Sequence, residues 1–131
     1  MERMSNLVLV VDDSPAVRKF VAFTLRMVGC RVIEAMDGQD GLEQLARHPD
    51  TALVVTDLNM PNMDGLSLIR SLRESATFGA VPIIILSSEQ DAPVREESLT
   101  AGANAYLVKP FSPGALQEAV EPFLGPLRKS A

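Results

Sequence analysis

The sequence predicts an α/β protein of the doubly wound kind, (βα)5, with a five-stranded parallel sheet in the flavodoxin-like order 2-1-3-4-5. Three observations predict it. Five short, apolar, β-branched runs recur along the chain, and segments with helical punctuation separate them. Three of the five runs are almost continuously apolar, the pattern of parallel strands covered on both faces. Strands that alternate with helices in this way join by right-handed crossovers into one open sheet.

The first run, LVLVV (7–11), leads into Ser14-Pro15, which places a hydroxyl at a helix N-cap and a proline at the first helical position, where its missing N–H costs nothing. Helix one then follows Val17, Phe20, Val21, Thr24, Leu25 and Val28 at three-and-four spacing and stops at Gly29. RVIEA (31–35) alternates and reads as an edge strand; ALVVT (52–56) is the third run. Helix three starts near Asp64-Gly65 and presents Leu66, Leu68, Ile69 and Leu72. PIIIL (82–86) is strand four, Gly102 closes helix four, and AYLVK (105–109) is strand five. Ser112-Pro113 opens helix five, and Pro122 is expected to end or kink it. The expected division is a tail over 1–6, one domain over 7–124 and a frayed tail over 125–131.

Composition narrows the function classes. The chain has 131 residues, enough for one domain with a true core but not for two. A net charge of -5 argues against binding to a phosphate backbone, which rests on clustered Lys and Arg, so no nucleic-acid contact is expected. The longest apolar run, Val81 to Leu86, is too short to span a bilayer, and MERMSN lacks the apolar core of a signal peptide; the expected location is cytoplasmic, away from membranes. Cys30 is the one cysteine, which excludes an intramolecular disulfide and a cysteine-based metal site, and reads as a core residue. His48, beside Pro49, reads as a solvated loop residue rather than a phosphate relay.

All strands of a parallel sheet point one way, so whatever follows them gathers along one edge, where such sheets bind ligands. Those ends carry Asp12-Asp13, Asp57, Ser87-Ser88 and Lys109-Pro110 after strands one, three, four and five. With strands one and three adjacent, the three acids share one pocket, and they cannot all stay ionised without an offsetting charge. Oxygen donors without His or Cys favour Mg²⁺, and Lys109 adds a positive charge. A hydroxyl at Ser87, a lysine and a divalent cation suit a transferring phosphoryl group, whose chemistry depends on positioning and charge neutralisation. Asp57, central on the edge, is the expected nucleophile.

Each residue alone has an ordinary structural reading: Asp12-Asp13 as partners of a helix dipole, Asp57 as a turn former before Pro61, Lys109 as a snorkelling surface lysine, Ser87 as a cap for the next turn, Tyr106 as a packing aromatic. Their joint placement at successive strand ends favours the phosphoacceptor site.

VLVVDDSPAVRK, VVTDLNMPNMDGLSLI, PIIILSS and GANAYLVKPF resemble the receiver domain of two-component response regulators, nearest to the stand-alone CheY-like, chemotaxis type. The likeness runs from about residue 7 to 124. It implies phosphotransfer from a sensor histidine kinase or a phosphotransfer protein to Asp57, with Asp13 and Asp57 as side-chain ligands of Mg²⁺, Asp12 acting through water, and the Asn59 backbone carbonyl completing the set. Ser87 and Lys109 are then expected to bind the phosphoryl oxygens, and Ser87 with Tyr106 to form a switch read at the face of helix four, strand five and helix five. Asn59 and Glu89 stand where the family tunes the lifetime of the phosphorylated state. Helix four carries Glu96 and Glu97, unlike the lysine-bearing helix of the enteric chemotaxis protein, so the flagellar-motor partner does not carry over and the downstream protein target is left open. A phosphatase is a further partner the resemblance allows, and the oligomeric state is expected to be monomer or weak dimer. No enzymatic activity is expected beyond self-catalysed phosphotransfer and autodephosphorylation. Two other readings compete: a non-phosphorylated receiver-like scaffold, and a phosphohydrolase of the haloacid dehalogenase type, which carries a second acid where this chain has Asn59.

Overall fold

The computed structural model describes residues 6–88 and 92–125. Strands and helices alternate throughout: β1 (Leu7–Val11), α1 (Pro15–Met27), β2 (Arg31–Ala35), α2 (Gly38–Arg47), β3 (Leu53–Asp57), α3 (Gly65–Glu74), β4 (Ile83–Ser87), α4 (Ala92–Ala101), β5 (Ala105–Val108) and α5 (Pro113–Leu124). The strands pair in parallel in the order β2-β1-β3-β4-β5. This is the predicted topology.

Strand alternation divides the core in two. Val8, Val10, Leu53, Val55, Ile84 and Leu86 face Val21 and Leu25 of α1 and Leu116 and Val120 of α5. Leu9, Val11, Val54, Ile83 and Ile85 face Leu45 of α2 and Leu68, Ile69 and Leu72 of α3. Each fully buried Leu or Ile contributes about 1.5–3 kcal/mol relative to exposure, so the central strands are the rigid frame for what their ends carry. No helix among the described residues is long and apolar enough to cross a membrane.

The helix starts follow the sequence signals. Ser14 Oγ accepts from Val17 N at 3.3 Å and Ser112 Oγ from Ala115 N at 3.1 Å, each followed by proline at the first helical position. Asp37 and Asp64 cap α2 and α3 in the same way. Gly29 and Gly102, at φ of 95° and 128°, end α1 and α4 in a conformation that side chains resist.

Four expectations differ from the structure, the smallest being that β5 ends at Val108, one residue before the run AYLVK does. β3 and β4 run one residue later than the apolar runs, because Pro82 has no N–H to donate while Asp57 and Ser87 continue the ladder opposite Leu86 and Val108. Phe20 lies on the helical stripe but is 39% exposed; its ring meets Phe111 at 6.0 Å rather than the sheet. Pro122 does not end α5, which continues to Leu124 and stops at Gly125 with φ 78°. Buried Val120 and Leu124 hold the last turn on either side of the proline.

Candidate functional site

Asp12 follows β1 directly and is fully buried. Its N–H donates to Ala35 O at 3.1 Å, so β2 holds it in sheet geometry. Its Oδ1 accepts from Ser14 N at 2.8 Å and its Oδ2 from Lys109 Nζ at 3.1 Å. Asp13 is exposed, and its carboxylate has no hydrogen-bond partner among the described residues.

Asp57 is the last residue of β3 and is 8% exposed. Oδ1 accepts from Leu58 N at 2.9 Å and from Lys109 Nζ at 3.2 Å. Oδ2 accepts no hydrogen bond among the described residues. One carboxylate oxygen is therefore held by two donors, and the other by none among the described residues. Burial first, then repulsion from Asp12, raises the Asp57 pKa above the ordinary carboxylate value, although Lys109 and Leu58 N pull against that shift. For Lys109, burial alone lowers the pKa, but hydrogen bonds and attraction to Asp12 and Asp57 together outweigh it and the net shift is upward. The ammonium stays charged between the two acids.

Carboxylate oxygens of Asp12, Asp13 and Asp57 lie within 4.8 Å of one another. The donor set is oxygen only, partly buried and partly open, which fits a hard divalent cation such as Mg²⁺ that retains water and takes one or two carboxylates. Ser87 ends β4 and is 1% exposed; its carbonyl accepts from Lys109 N at 2.8 Å, and Leu58 N donates to Leu86 O at 3.2 Å. The ends of β3, β4 and β5 are thus stitched side by side. The structure brings together Asp12, Asp13, Asp57 and Lys109, with Ser87 in the adjoining strand end. Asn59 is exposed two residues past Asp57. Tyr106 on β5 is half-buried, with the Arg95 guanidinium of α4 5.9 Å from its ring centre. Glu89 lies outside the described residues.

Several residues that build the site are not among those the sequence singled out. Gly65 N donates to Leu58 O at 2.8 Å, and a Cβ on Gly65 would meet Asp57 O at 2.5 Å, so only glycine lets α3 start this close to Asp57. The β3–α3 loop is tied back to α2: Asn62 Nδ2 donates to Asp37 Oδ2 at 2.7 Å, and Gly38 N donates to Met63 O at 3.2 Å. The Asp40 N–H and Asn62 hold the Asp37 carboxyl below its ordinary pKa. Asp64-Gly65 was legible as a helix start, but the pairing of Asp37 with Asn62 spans 25 residues and leaves no local sign.

The chain matches the response regulator receiver domain over residues 8–121. It is 41% identical over 118 residues to chemotaxis protein CheY1 of Helicobacter pylori, covering 89% of this chain and 95% of that one. Among solved structures, it superposes on chemotaxis response regulator CheY4 of Vibrio cholerae with a TM-score of 0.86 at 32% identity, covering 92% and 99% of the two chains. It also superposes on the receiver domain of a Pseudomonas aeruginosa sensor histidine kinase, with TM-score 0.84 and 31% identity over 93% and 99%; that domain has a magnesium ion coordinated in its active-site cleft. With fold, acidic strand ends and relatives in agreement, the chain belongs to the response regulator receiver family and is of the CheY-like kind.

Proposed function

We propose that this protein is a phosphorylation-controlled signalling switch in which Asp57 accepts a phosphoryl group from a phosphohistidine on a sensor kinase or a phosphotransfer protein. The observation that carries this reading is the asymmetric Asp57 carboxylate: Oδ1 is fixed by Lys109 Nζ and Leu58 N, while Oδ2 is unengaged beside two further acids.

Asp13 and Asp57 would hold Mg²⁺ through their side chains, with the Asn59 carbonyl as a further oxygen donor and Asp12 acting through water. When bound, the ion offsets the charge of the clustered acids and of the phosphoryl oxygens. Asp57 Oδ2 attacks phosphorus in line. The P–N bond to the donor imidazole breaks, its electron pair stays on nitrogen, and an acyl phosphate forms on Asp57. Lys109, already charged and placed between Asp12 and Asp57, turns to a phosphoryl oxygen. The Ser87 hydroxyl supplies another contact, and water later attacks phosphorus, breaking its bond to the Asp57 oxygen, so that inorganic phosphate leaves and the carboxylate is restored. Asn59 and Glu89 set how long the phosphorylated state lasts, and a partner phosphatase can shorten it. The protein is otherwise no enzyme.

Output follows from differential binding. A full reversal from 1:99 to 99:1 requires about 5.5 kcal/mol, and one hydroxyl contact to a charged group supplies about 1.5–3 kcal/mol, so Lys109 and the loop amides act with Ser87. Tyr106, half-buried under Arg95, carries the change to the α4–β5–α5 face, where a cytoplasmic protein target binds. The domain over 7–124 acts as a monomer or weak dimer. The chemotaxis protein of H. pylori makes taxis signalling the favoured setting.

Incubation with acetyl phosphate and Mg²⁺ tests the chemistry. Mass spectrometry should show the gain of one phosphoryl group per chain, a gain that fails when chelator is present from the start and is absent from Asp57→Asn. Equal labelling of Asp57→Asn would overturn the assignment.

A further inference from the structure

Asp13 poses a problem of aim. Its side chain is exposed and accepts no hydrogen bond among the described residues, so only its backbone directs it into the cluster with Asp12 and Asp57. The peptide group joining Asp12 to Asp13 therefore decides where that carboxylate points. On its N-terminal side the strand is fixed by Asp12 N donating to Ala35 O at 3.1 Å. The Asp12 carbonyl itself is taken by one side chain: Arg18 Nη1 donates to Asp12 O at 2.8 Å.

Arg18 is one turn into α1 and only 16% exposed, and its Nε donates to Glu34 Oε1 at 3.2 Å. Glu34 sits on β2, opposite Val10 in the register, and also takes Lys19 at 3.1 Å and Arg26 at 3.8 Å. The guanidinium is a rigid fork whose separate N–H groups can serve two acceptors at once, a geometry an ammonium does not reproduce. It spans from the carboxylate on β2 to the carbonyl at the end of β1.

We propose that Arg18, oriented by Glu34, is a positioning residue for the cation site: by fixing the Asp12–Asp13 peptide it aims the Asp13 carboxylate at the ion without touching it. The proposal rests on the functional reading above, and it assigns to that site a support outside the strand ends. Groups one step removed from a ligand commonly change metal affinity by about 10- to 100-fold when lost.

The test compares the full chain with Arg18→Ala, Arg18→Lys, Glu34→Gln and Glu34→Ala. Calorimetric titration with Mg²⁺ should show about tenfold weaker binding for Arg18→Ala and Glu34→Ala. Arg18→Lys should stay weak, because charge alone does not restore the bridge. Glu34→Gln, which keeps an acceptor for Nε, should bind within about twofold of the parent. In acetyl phosphate labelling, Arg18→Ala should need more Mg²⁺ but reach the parental rate at saturation, since Asp57 and Lys109 are untouched. In the metal-free protein, the Asp12 carbonyl carbon and Asp13 amide should shift or broaden by NMR in Arg18→Ala, while distant core amides keep their positions. Parental Mg²⁺ affinity in Arg18→Ala, or recovery by Arg18→Lys, overturns the positioning role while the functional reading stands. If the parent takes up no Mg²⁺, the functional reading falls and the positioning role with it.

Discussion

Lys109 is the residue on which the resting site depends most. Its ammonium bridges Asp12, fully buried, and Asp57, so its loss leaves two carboxylates facing each other without a counter-charge. Lys109→Ala is expected to destabilise the metal-free protein by about 1.5–3 kcal/mol at pH 7, measured by denaturant unfolding. The loss should shrink as pH falls and Asp57 protonates. Asp57 itself has the opposite sign. Its folded pKa lies above the unfolded value, so the native state binds more protons between the two, and stability falls as pH rises through that window. Asp57→Asn removes the penalty: it should raise the metal-free melting temperature by a few degrees at neutral pH, with the gain fading as pH approaches 3.8. A variant that is more stable yet cannot be labelled separates the acceptor's chemistry from the fold. The sequence showed these residues but not their pairing. Asp12 and Lys109 are 97 residues apart, so a positive charge among the acids was legible while the particular carboxylate oxygens it bridges were not.

At the scale of elements, strand ends were legible because β-branched runs and proline or serine punctuation are local signals. What the sequence hid is how closely elements approach. Gly65 reads as an unremarkable first residue of α3, yet a Cβ there would collide with Asp57 O and with Leu58 Cα at 2.9 Å. Both are backbone atoms that cannot turn aside. Gly65→Ala should therefore destabilise by about 1–3 kcal/mol and slow phosphoryl uptake, because relief requires the β3–α3 loop to move away from the acceptor. Ser112→Ala makes a useful contrast: it removes the cap on α5, whose one hydrogen bond is to Ala115 N and not to any of the acids. It should cost about 1 kcal/mol by thermal unfolding and leave the labelling rate unchanged. Pro122 shows the same limit of local reading, since burial of Val120 and Leu124 outweighs the break its ring predicts.

At the scale of the whole molecule, an apolar parallel sheet carries its buried acids, Asp12, Asp37 and Asp57, at or just past the carboxyl ends of its strands. Two helices on one face and three on the other leave the carboxyl ends of β1, β3, β4 and β5 adjacent, so residues as distant as Asp12 and Lys109 meet without any long loop. Topology was legible because it follows from the order of elements; Arg18, Glu34, Asp37 and Asn62 were not, because each acts through a partner on another element. Phosphoryl acceptance on Asp57 requires a single divalent-cation site formed by acids from two strand ends. Calorimetric titration of the parent, Asp13→Asn and Asp57→Asn with Mg²⁺ tests it most directly. One ion per parent chain, with binding lost or sharply weakened in both variants, is the predicted result; no uptake by the parent, or unchanged uptake by either variant, would contradict it.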